Sequence, residues 1–365
     1  MSARQRPARE TGTAAARRSG ARPAAGRRGE PPVRGRTAAT SRTSRPGSGR
    51  RAPEPTVGYS VVVGTTPLAA RITGGLLVLA GLLGVAALVP TYLVLTGRPV
   101  GLADGPVGVL AALLVPLTSL AVGASLVAGR LPKFGLAHAG VAGALALGSL
   151  LIELHNGSQS VQRAGREVLG GQWLLTTSVD RGAGWWLNVA SLGCLVLAAV
   201  CAVAAWGRTV MEDDGALDPA RPGLAGLAVL LGAGTVLCLA QPAADLPELL
   251  VTNPRTLEQI VVEQQGPQAL YERPGWALLG GLLLAGALLL CSVLAPSLRP
   301  RLAAVGGLLA ITAVVLSAAL TGVRAAGTPE LEWSLPGAGL LVTGVAYAGL
   351  TLLVWRVRRR PVPPG

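Results

Sequence analysis

Apolar residues are grouped along this chain into long intervals that contain no charged side chain. Eight such intervals occur, and each is close to the ~20 residues that an α-helix needs to cross the apolar core of a bilayer. The pattern predicts transmembrane helices over residues 72–96, 106–129, 134–154, 185–206, 223–242, 275–296, 302–323 and 335–355. The third interval fits the pattern least well, because its charge-free part, residues 134–152, is the shortest and contains His138.

Together these intervals predict an all-α integral membrane protein, with residues 67–356 forming a single bundle of about eight transmembrane helices. Half of the residues are hydrophobic and only 14% are charged, which lies outside the range of ordinary soluble proteins. The 50 glycines suit the close approach of membrane helices. Pro90 and Pro116 are expected to kink the first two helices.

Two long connections, 153–181 and 245–273, carry more polar segments in which apolar residues recur at helical spacing. In the second, Asn253 and Pro254 form a helix start signal. The apolar positions are Leu257, Ile260 and Val261 in the second connection, and Val161, Ala164, Val168 and Leu169 in the first. We therefore expect a short amphipathic helix in each connection, lying over the ends of the bundle or in the headgroup layer.

The distribution of charge predicts the orientation of the helices, because Lys and Arg collect in cytoplasmic connections. Residues 1–60 hold 14 Arg and three Glu. With this tail inside, the inner connections and the C-terminal segment hold ten Lys or Arg, against seven in the longer outer connections. We expect a multi-pass protein of the cytoplasmic (plasma) membrane with both termini in the cytoplasm.

The two ends of the chain are predicted to be tails. Residues 1–66 contain many arginines but few large apolar side chains, so this segment is expected to be disordered. Residues 357–365 form a short basic C-terminal tail. The arginine-rich tail predicts contacts with anionic lipid headgroups or an acidic protein. Because it has no interleaved aromatic residues, sequence-specific binding of nucleic acid is not expected.

Six of the seven tryptophans fall near the ends of the predicted helices, where an indole ring favours the membrane interface. They are Trp185, Trp186, Trp276 and Trp333 at the outer ends, and Trp206 and Trp355 at the inner ends. The pattern predicts six interfacial anchors, and it requires no ligand-stacking role for any of them.

Motifs that carry chemistry are scarce. The chain has two histidines and four cysteines, and the cysteines lie inside apolar intervals without the spacing of a metal site. It contains no G-x-S-x-G elbow and no Walker phosphate loop. We therefore predict no catalytic residue, no metal ligand and no cofactor or cofactor-binding residue, and the sequence argues against an enzyme.

Two functional candidates remain, Glu153 and His155 in "LIELHNG" at the outer end of the third interval. An ionisable group in a membrane segment is costly and is often functional. At the end of a helix, however, such a group reaches water or headgroups at little cost. A plain boundary role is therefore the simpler interpretation of this pair.

The leading hypothesis for function is a non-enzymatic membrane protein of the cell envelope or of division, which acts through contacts with membrane-protein partners. One alternative is a permease or transporter component for a small or lipid-like substrate. A second is a multi-span enzyme acting on lipid-linked substrates. No carboxylate or arginine lies at mid-depth in the predicted helices, although an ion-coupled transporter needs such a group.

Overall fold

Eight long α-helices make up most of the computed structural model of this chain, which describes residues 62–63, 66–95, 98–103, 105–158, 168–169, 172–173, 179–212, 217–241, 244–245, 249–252, 259–262, 275–326 and 332–357. The helices are α1 (Leu68–Ala86), α2 (Gly105–Val127), α3 (Pro132–Ser158), α4 (Ala183–Trp206), α5 (Arg221–Leu239), α6 (Trp276–Ser297), α7 (Arg301–Ala326) and α8 (Leu335–Arg356). Each is long and apolar enough to cross a membrane. The prediction of eight long apolar helices is therefore confirmed.

The first helix is shorter than its predicted interval. The prediction of a helix over 72–96 is wrong at its C-terminal end, because α1 stops at Ala86. Pro90 lies beyond the helix and does not kink it. Proline has no N–H to donate and disfavours a helical residue before it, and the chain continues into a short strand, Leu93–Leu95.

Pro116, the other predicted kink residue, does lie inside its helix, α2. Its ring packs against α1 at Gly84, where an added Cβ would stand 2.7 Å from Pro116 Cγ. The Pro116 carbonyl oxygen would stand 2.7 Å from a Cβ added at Gly81. The contact between α1 and α2 therefore depends on two glycines that lie on one face of α1.

The third helix is the longest of the eight, with 27 residues, although its interval fitted the hydropathy pattern least well. It contacts α4, α6 and α7, and α7 also contacts α2 and α8. In both α3 and α7, 67% of the most apolar stretch is buried, against 22–39% in the other six helices. These two helices therefore form the centre of the described structure.

Glycine allows the helix backbones around α3 to approach closely. A Cβ added at Gly148 of α3 would stand 2.6 Å from the Gly280 carbonyl oxygen of α6, and a Cβ at Gly280 would stand 2.6 Å from the Gly148 carbonyl oxygen. Gly306 of α7 lies directly against the carbonyl oxygen of Phe134 in α3. Any larger residue would force these helices apart.

Polar side chains inside the helices join neighbouring helices. The Tyr347 hydroxyl of α8 lies 2.7 Å from Ser292 Oγ of α6 and donates to the Ala228 carbonyl oxygen of α5 at 3.0 Å. Thr312 of α7 and Thr351 of α8 share a hydrogen bond of 3.0 Å. These bonds satisfy buried groups that would otherwise be costly.

A similar bond joins each of two further helix pairs. Ser191 Oγ of α4 donates to the Ala80 carbonyl oxygen of α1 at 2.7 Å. Ser317 Oγ of α7 donates to the Ala111 carbonyl oxygen of α2, also at 2.7 Å. Serine hydroxyls thus connect the flanking helices α1 and α2 to their neighbours.

An arginine joins the start of α5 to the end of α6. Arg221 Nη1 donates to the carbonyl oxygens of Pro296, Ser297 and Leu298 at 3.3, 3.1 and 2.8 Å. Carbonyl groups at a helix C-terminus lack intrahelical partners and carry partial negative charge, so a guanidinium group is favourable there. Arg221 Nε forms a salt bridge with Asp218 Oδ1 at 2.7 Å, which orients the guanidinium group.

Short antiparallel strands, which the all-α prediction did not include, lie in the segment before α1 and in the connections between helices. They are β1 (Val62–Val63), β2 (Leu93–Leu95), β3 (Arg98–Val100), β4 (Val168–Leu169), β5 (Gln172–Trp173), β6 (Val179–Arg181), β7 (Met211–Glu212), β8 (Ala244–Asp245), β9 (Leu249–Thr252), β10 (Gln259–Val262) and β11 (Glu332–Trp333). Two of the pairings join different connections, β2 with β6 and β8 with β11, and a third, β1 with β7, joins the segment before α1 to a connection.

These pairings show which connections lie at the same end of the helices, because paired strands run side by side. The β2–β6 pair joins the α1–α2 and α3–α4 connections. The β8–β11 pair joins the α5–α6 and α7–α8 connections. The β1–β7 pair brings the segment before α1 to the α4–α5 connection. The α1–α2, α3–α4, α5–α6 and α7–α8 connections are thus each paired with another connection from the same end of the helices. This is expected for helices that alternate in direction.

The amphipathic helix predicted in the α5–α6 connection is wrong where the structure describes it. Ile260 and Val261 lie in β10, which pairs with β9 so that Val261 stands opposite Leu250. Three consecutive β-branched residues, Ile260 to Val262, favour an extended chain. The Asn253-Pro254 step also starts turns, so this step alone does not specify a helix.

The weaker helix predicted in the α3–α4 connection is also wrong at its C-terminal end. Val168 and Leu169 lie in β4, which forms a tight hairpin with β5. Residues 159–167, which hold the rest of that predicted helix, and residues 253–258 lie outside the described residues. Most of the two predicted tails, residues 1–66 and 357–365, lies outside them as well, namely residues 1–61, 64–65 and 358–365.

We expect Gly148→Ala to lower stability and Gly140→Ala, on the same helix, to leave it unchanged or raise it slightly. A Cβ added at Gly148 would meet the Gly280 backbone, whereas a Cβ added at Gly140 would meet nothing within 4 Å. Overpacking costs about 1–3 kcal/mol, while alanine favours a helix over glycine by ~1 kcal/mol. Thermal unfolding of the full chain in lipid nanodiscs measures both. Equal losses at the two positions would contradict the close α3–α6 contact.

Candidate polar site at the ends of α3, α4 and α6

The polar site lies where α3 ends and α4 and α6 begin. Glu153 and His155 stand near the C-terminus of α3, and the chain returns through β6 to begin α4 at Ala183. Strand β2 pairs with β6, so that Leu93 stands opposite Arg181. This pairing holds the segment that follows α1 over the end of α3.

Tyr92 is fixed by its backbone before its side chain makes any contact. Its N–H donates to the Val100 carbonyl oxygen at 3.0 Å, and its carbonyl oxygen accepts from the Gly182 N–H at 2.9 Å. The Thr91 carbonyl oxygen accepts from Gly184 N–H at 3.0 Å. The α1–α2 connection is therefore held directly against the start of α4.

The Tyr92 hydroxyl donates a hydrogen bond to Glu153 Oε1. Asn188 Nδ2 of α4 in turn donates to the Tyr92 hydroxyl oxygen at 3.3 Å. Burial, and after it the negative charge of Glu153, raises the pKa of Tyr92 above its usual value. Tyr92 therefore remains protonated and keeps donating to the carboxylate, because ionisation would place two negative charges together.

Trp185 packs into the same end of α3. It is 1% exposed, its Nε1 donates to the Glu153 carbonyl oxygen at 3.3 Å, and its ring lies against Gly157. The prediction that Trp185 is an interfacial anchor is therefore wrong. Neighbouring residues on a helix point about 100° apart, so Trp185 faces the protein while Trp186 is 56% exposed.

Arg181 closes this arrangement from β6. Its Nε donates to the Gly157 carbonyl oxygen at 2.6 Å, which caps the last turn of α3. Its guanidinium carbon lies 5.1 Å from the Trp185 ring centroid and 5.9 Å from that of Trp186, which is within the range of cation–π attraction. The arginine thus connects the end of α3 to the first turn of α4.

His155 faces a different neighbour. It is 7% exposed and lies against Gly275, where an added Cβ would stand 3.5 Å from His155 Cε1. Gly275 precedes α6 with a φ of +59°, a conformation that glycine adopts without strain. The structure therefore brings Glu153 and His155 to the same end of the helices, with Tyr92 against the first and the start of α6 against the second.

Sequence reasoning identified Glu153 and His155 but missed three residues near the end of α3: Tyr92, which bonds to Glu153, Asn188, which bonds to Tyr92, and Arg181, which bonds to Gly157. A lone tyrosine in a connection carries no local signal, since only the β2–β6 pairing brings it to α3. Trp185-Trp186 beside Gly184 was the available signal, because adjacent side chains on a helix point about 100° apart, so that one ring can face the protein while the other faces outward. The boundary interpretation assumed access to water, whereas Glu153 is partly buried and bonded to Tyr92.

The polar groups of this site connect different secondary-structure elements by hydrogen bonds. A carboxylate, a phenol, an amide and a guanidinium group bond to one another or to backbone carbonyls across α3, α4, β6 and the α1–α2 connection. Within the described ranges, no group of three or more His, Cys, Asp or Glu side chains could hold a metal ion. The contacts that are present tie connections to helix ends.

Comparison with known proteins gives no assignment. No protein-family model, no curated protein and no solved structure matches the chain. The function must therefore be inferred from the geometry of the chain itself.

We expect a double-mutant cycle to show that Tyr92 and Glu153 stabilise the fold together. Tyr92→Phe and Glu153→Gln should each lower the free energy of unfolding by about 1–3 kcal/mol, since a partly buried hydrogen bond to a charge is lost. The double variant should lose less than the sum, because both changes remove the same bond. Thermal unfolding in nanodiscs measures all three variants. Strictly additive losses would show that the two side chains act independently.

Proposed function

We propose that this protein is a multi-pass protein of the cytoplasmic membrane whose eight helices cross the bilayer as one bundle. Both termini lie in the cytoplasm. The α1–α2, α3–α4, α5–α6 and α7–α8 connections lie outside. The protein acts as a membrane scaffold, through contacts that these outer connections make with protein partners of the cell envelope or of division.

Apolar side chains on the outward faces of the flanking helices support insertion in a bilayer. Val203 of α4 is 74% exposed, Leu230 of α5 is 71% exposed and Leu290 of α6 is 64% exposed. Apolar surface of this extent is unfavourable in water and suits lipid chains. The positive-inside rule supports the orientation, because Arg208, Arg221 and Arg301 lie at the same ends of their helices as β1 and β7.

The observation that carries the contact function is the joining of outer connections to one another and to the helix ends. The β2–β3–β6 sheet joins two connections, and Tyr92 and Arg181 anchor that sheet to α3. Loops held on a rigid scaffold bind partners with a smaller loss of conformational entropy. An anchor of this kind is expected where a surface must keep its shape.

The hydrogen bonds of four buried polar side chains also favour a scaffold over a transporter. In the described helices, Tyr347, Ser292, Thr312 and Thr351 bond to one another or to helix carbonyls. A transport path needs polar groups that remain available to a substrate. These side chains instead hold α5, α6, α7 and α8 together.

The orientation predicts that a cysteine at Asp180 is accessible from outside and a cysteine at Val210 from inside. Both positions are exposed, one in β6 and the other in the α4–α5 connection. In a chain whose four cysteines are replaced by alanine, a membrane-impermeant maleimide should label Asp180→Cys in intact cells. Val210→Cys should be labelled only after permeabilisation. Labelling of Val210→Cys in intact cells, and of Asp180→Cys only after permeabilisation, would show that the orientation is the reverse of the proposed one.

The contact function predicts that a photo-crosslinking residue at position 180 captures a discrete protein in living cells. The same residue at Leu230, which is exposed on α5, should give only lipid adducts. Combining position 180 with Tyr92→Phe should weaken the adduct, because the sheet loses its anchor. Mass spectrometry of the adducts measures the result. If position 180 gives no protein adduct in any growth condition, the contact function fails.

A further inference from the structure

The helices of the first half of the chain contact one another in the same pattern as those of the second half. Helix α1 contacts α2 and α4, and α4 contacts α3; likewise α5 contacts α6 and α8, and α8 contacts α7. The contacts between the halves are reciprocal, since α3 contacts α6 while α7 contacts α2. Strand pairing follows the same rule, with β2–β6 in the first half and β8–β11 in the second. The described helices thus form two repeats, α1–α4 and α5–α8.

Individual contacts between the repeats obey this rule. Gly148 of α3 lies against Gly280 of α6, and Ser317 of α7 bonds to Ala111 of α2. Ser317 follows Gly148 by the same number of positions as Gly280 follows Ala111. The two contacts are therefore equivalent, as in a dimer with a two-fold axis. Because α3 and α7 also contact each other, the axis runs between them.

Contacts within each repeat correspond as well. Gly143 of α3 lies against Leu195 of α4, and Thr312 of α7 bonds to Thr351 of α8. Thr312 follows Gly143 by the same interval that relates α3 to α7 in the contacts between repeats. This interval therefore gives the counterpart in α7 of each residue in α3.

His138 lies in the interface between the two repeats. It is 1% exposed and stands on the same face of α3 as Phe134 and Val141, which lie against Gly306 and Gly307 of α7. The counterpart of His138 in α7 is Gly307. The second repeat therefore has no side chain where the first has an imidazole ring.

The imidazole ring of His138 is buried without a matched polar partner. The Gly306 backbone lies beside it, but neither ring nitrogen makes a hydrogen bond of normal geometry with any described residue. Buried polar groups are nearly always hydrogen-bonded, and an apolar residue would pack here without the cost of an unsatisfied one. The ring therefore indicates a ligand, and the proton is the ligand that a single imidazole binds near neutral pH.

Among the described elements packed against α3, none places a negative charge at the inner end of the helices, where α3 and α7 begin. Helices α2, α4 and α6 contain no Asp, Glu, Lys or Arg, and their titratable groups are the thiols of Cys194, Cys201 and Cys291. The other charged or titratable residues on α1, α3, α7 and β6 are Arg71, Lys133, Glu153, His155, Asp180, Arg181, Arg301 and Arg324.

Both carboxylates of that set, Glu153 and Asp180, lie at the outer end of α3, and Glu153 is bonded to Tyr92. At the inner end Lys133 and Arg301 add positive charge. A protonated His138 would therefore be a buried cation without a counter-ion, which is strongly unfavourable.

We propose that His138 is a proton-binding site that controls the contact between the two repeats at their inner ends. The neutral ring packs between α3 and α7. A proton taken up from water on the inner side favours an arrangement in which the inner ends separate and water reaches the ring. The Gly148–Gly280 and Ser317–Ala111 contacts lie in the outer half and keep the repeats joined there. This site goes beyond the proposed function.

Distances between spin labels test the proposal on the full chain in nanodiscs, with its four cysteines replaced by alanine. One label is placed at Arg208→Cys, after α4 in the first repeat, and the other at Ser297→Cys, at the end of α6 in the second. Both positions are exposed. The control pair, Val127→Cys with Arg208→Cys, lies within the first repeat. Lowering the pH from about 8 to about 5, where an imidazole gains its proton, should lengthen the first distance and leave the second unchanged.

The histidine variants identify the group that responds. His138→Phe keeps a ring in the same space, and His138→Asn keeps a polar group, but neither takes up a proton in this range. Both should abolish the lengthening at about pH 5. His155→Gln, which changes the other histidine of the chain, should retain it. The asparagine variant decides the test if phenylalanine disturbs the packing at neutral pH.

Three results would overturn the proposal. One is a distance between the repeats that does not change with pH, and another is a change that persists in both His138 variants. The third is an equal lengthening of the control pair, which would show a general loss of structure instead of separation of the repeats. Protein adducts at position 180, measured at neutral pH, test the contact function independently of these distances.

Discussion

Backbone contact through glycine is the constraint on which the arrangement of the helices depends. Helices that are apolar on every side have no polar face to indicate which side turns inward. Their positions follow from where two backbones can approach, and Gly148, Gly280 and Gly306 supply those places around α3. The burial of α3 and α7 is a consequence, since close approach on several sides encloses a helix.

Hydrogen bonds then select one packing among those that glycine allows. Tyr347 can satisfy its hydroxyl only where α5 and α6 both reach α8. Arg221, at the start of α5, likewise fixes the end of α6 by donating to the Leu298 carbonyl oxygen. Each bond is worth only ~0.6–1.7 kcal/mol in a membrane setting, so they specify the arrangement more than they stabilise it.

The cluster around Glu153 continues this logic at the helix ends. There the chain leaves regular helix, and free carbonyl and N–H groups need partners. Arg181 serves the Gly157 carbonyl oxygen, and Tyr92 is held between Val100 and Gly182. The side chains that could be mistaken for a reactive centre are therefore the means by which the connections are held. That property suits the strands of these connections to the contact role proposed above.

The number of long helices and their approximate limits follow from hydropathy alone, because a charge-free interval of this length has no other low-energy structure in an apolar medium. The local pattern also singled out Glu153 and His155, since ionisable residues in such an interval are rare. It failed where two local signals compete: Ile260 and Val261 fit a helical spacing, but together with Val262 they form a β-branched run, and that run became a strand.

The tertiary structure decided everything that depends on neighbours distant in the sequence. Only packing shows that α3 is central, that Trp185 is buried while Trp186 is exposed, and that Tyr92 reaches Glu153 across 61 positions. The polar segment between α5 and α6 changes most. Its sequence predicted an amphipathic helix, but residues 249–252 and 259–262 pair as two antiparallel strands, because backbone hydrogen bonds between strands outweighed a weak helical period.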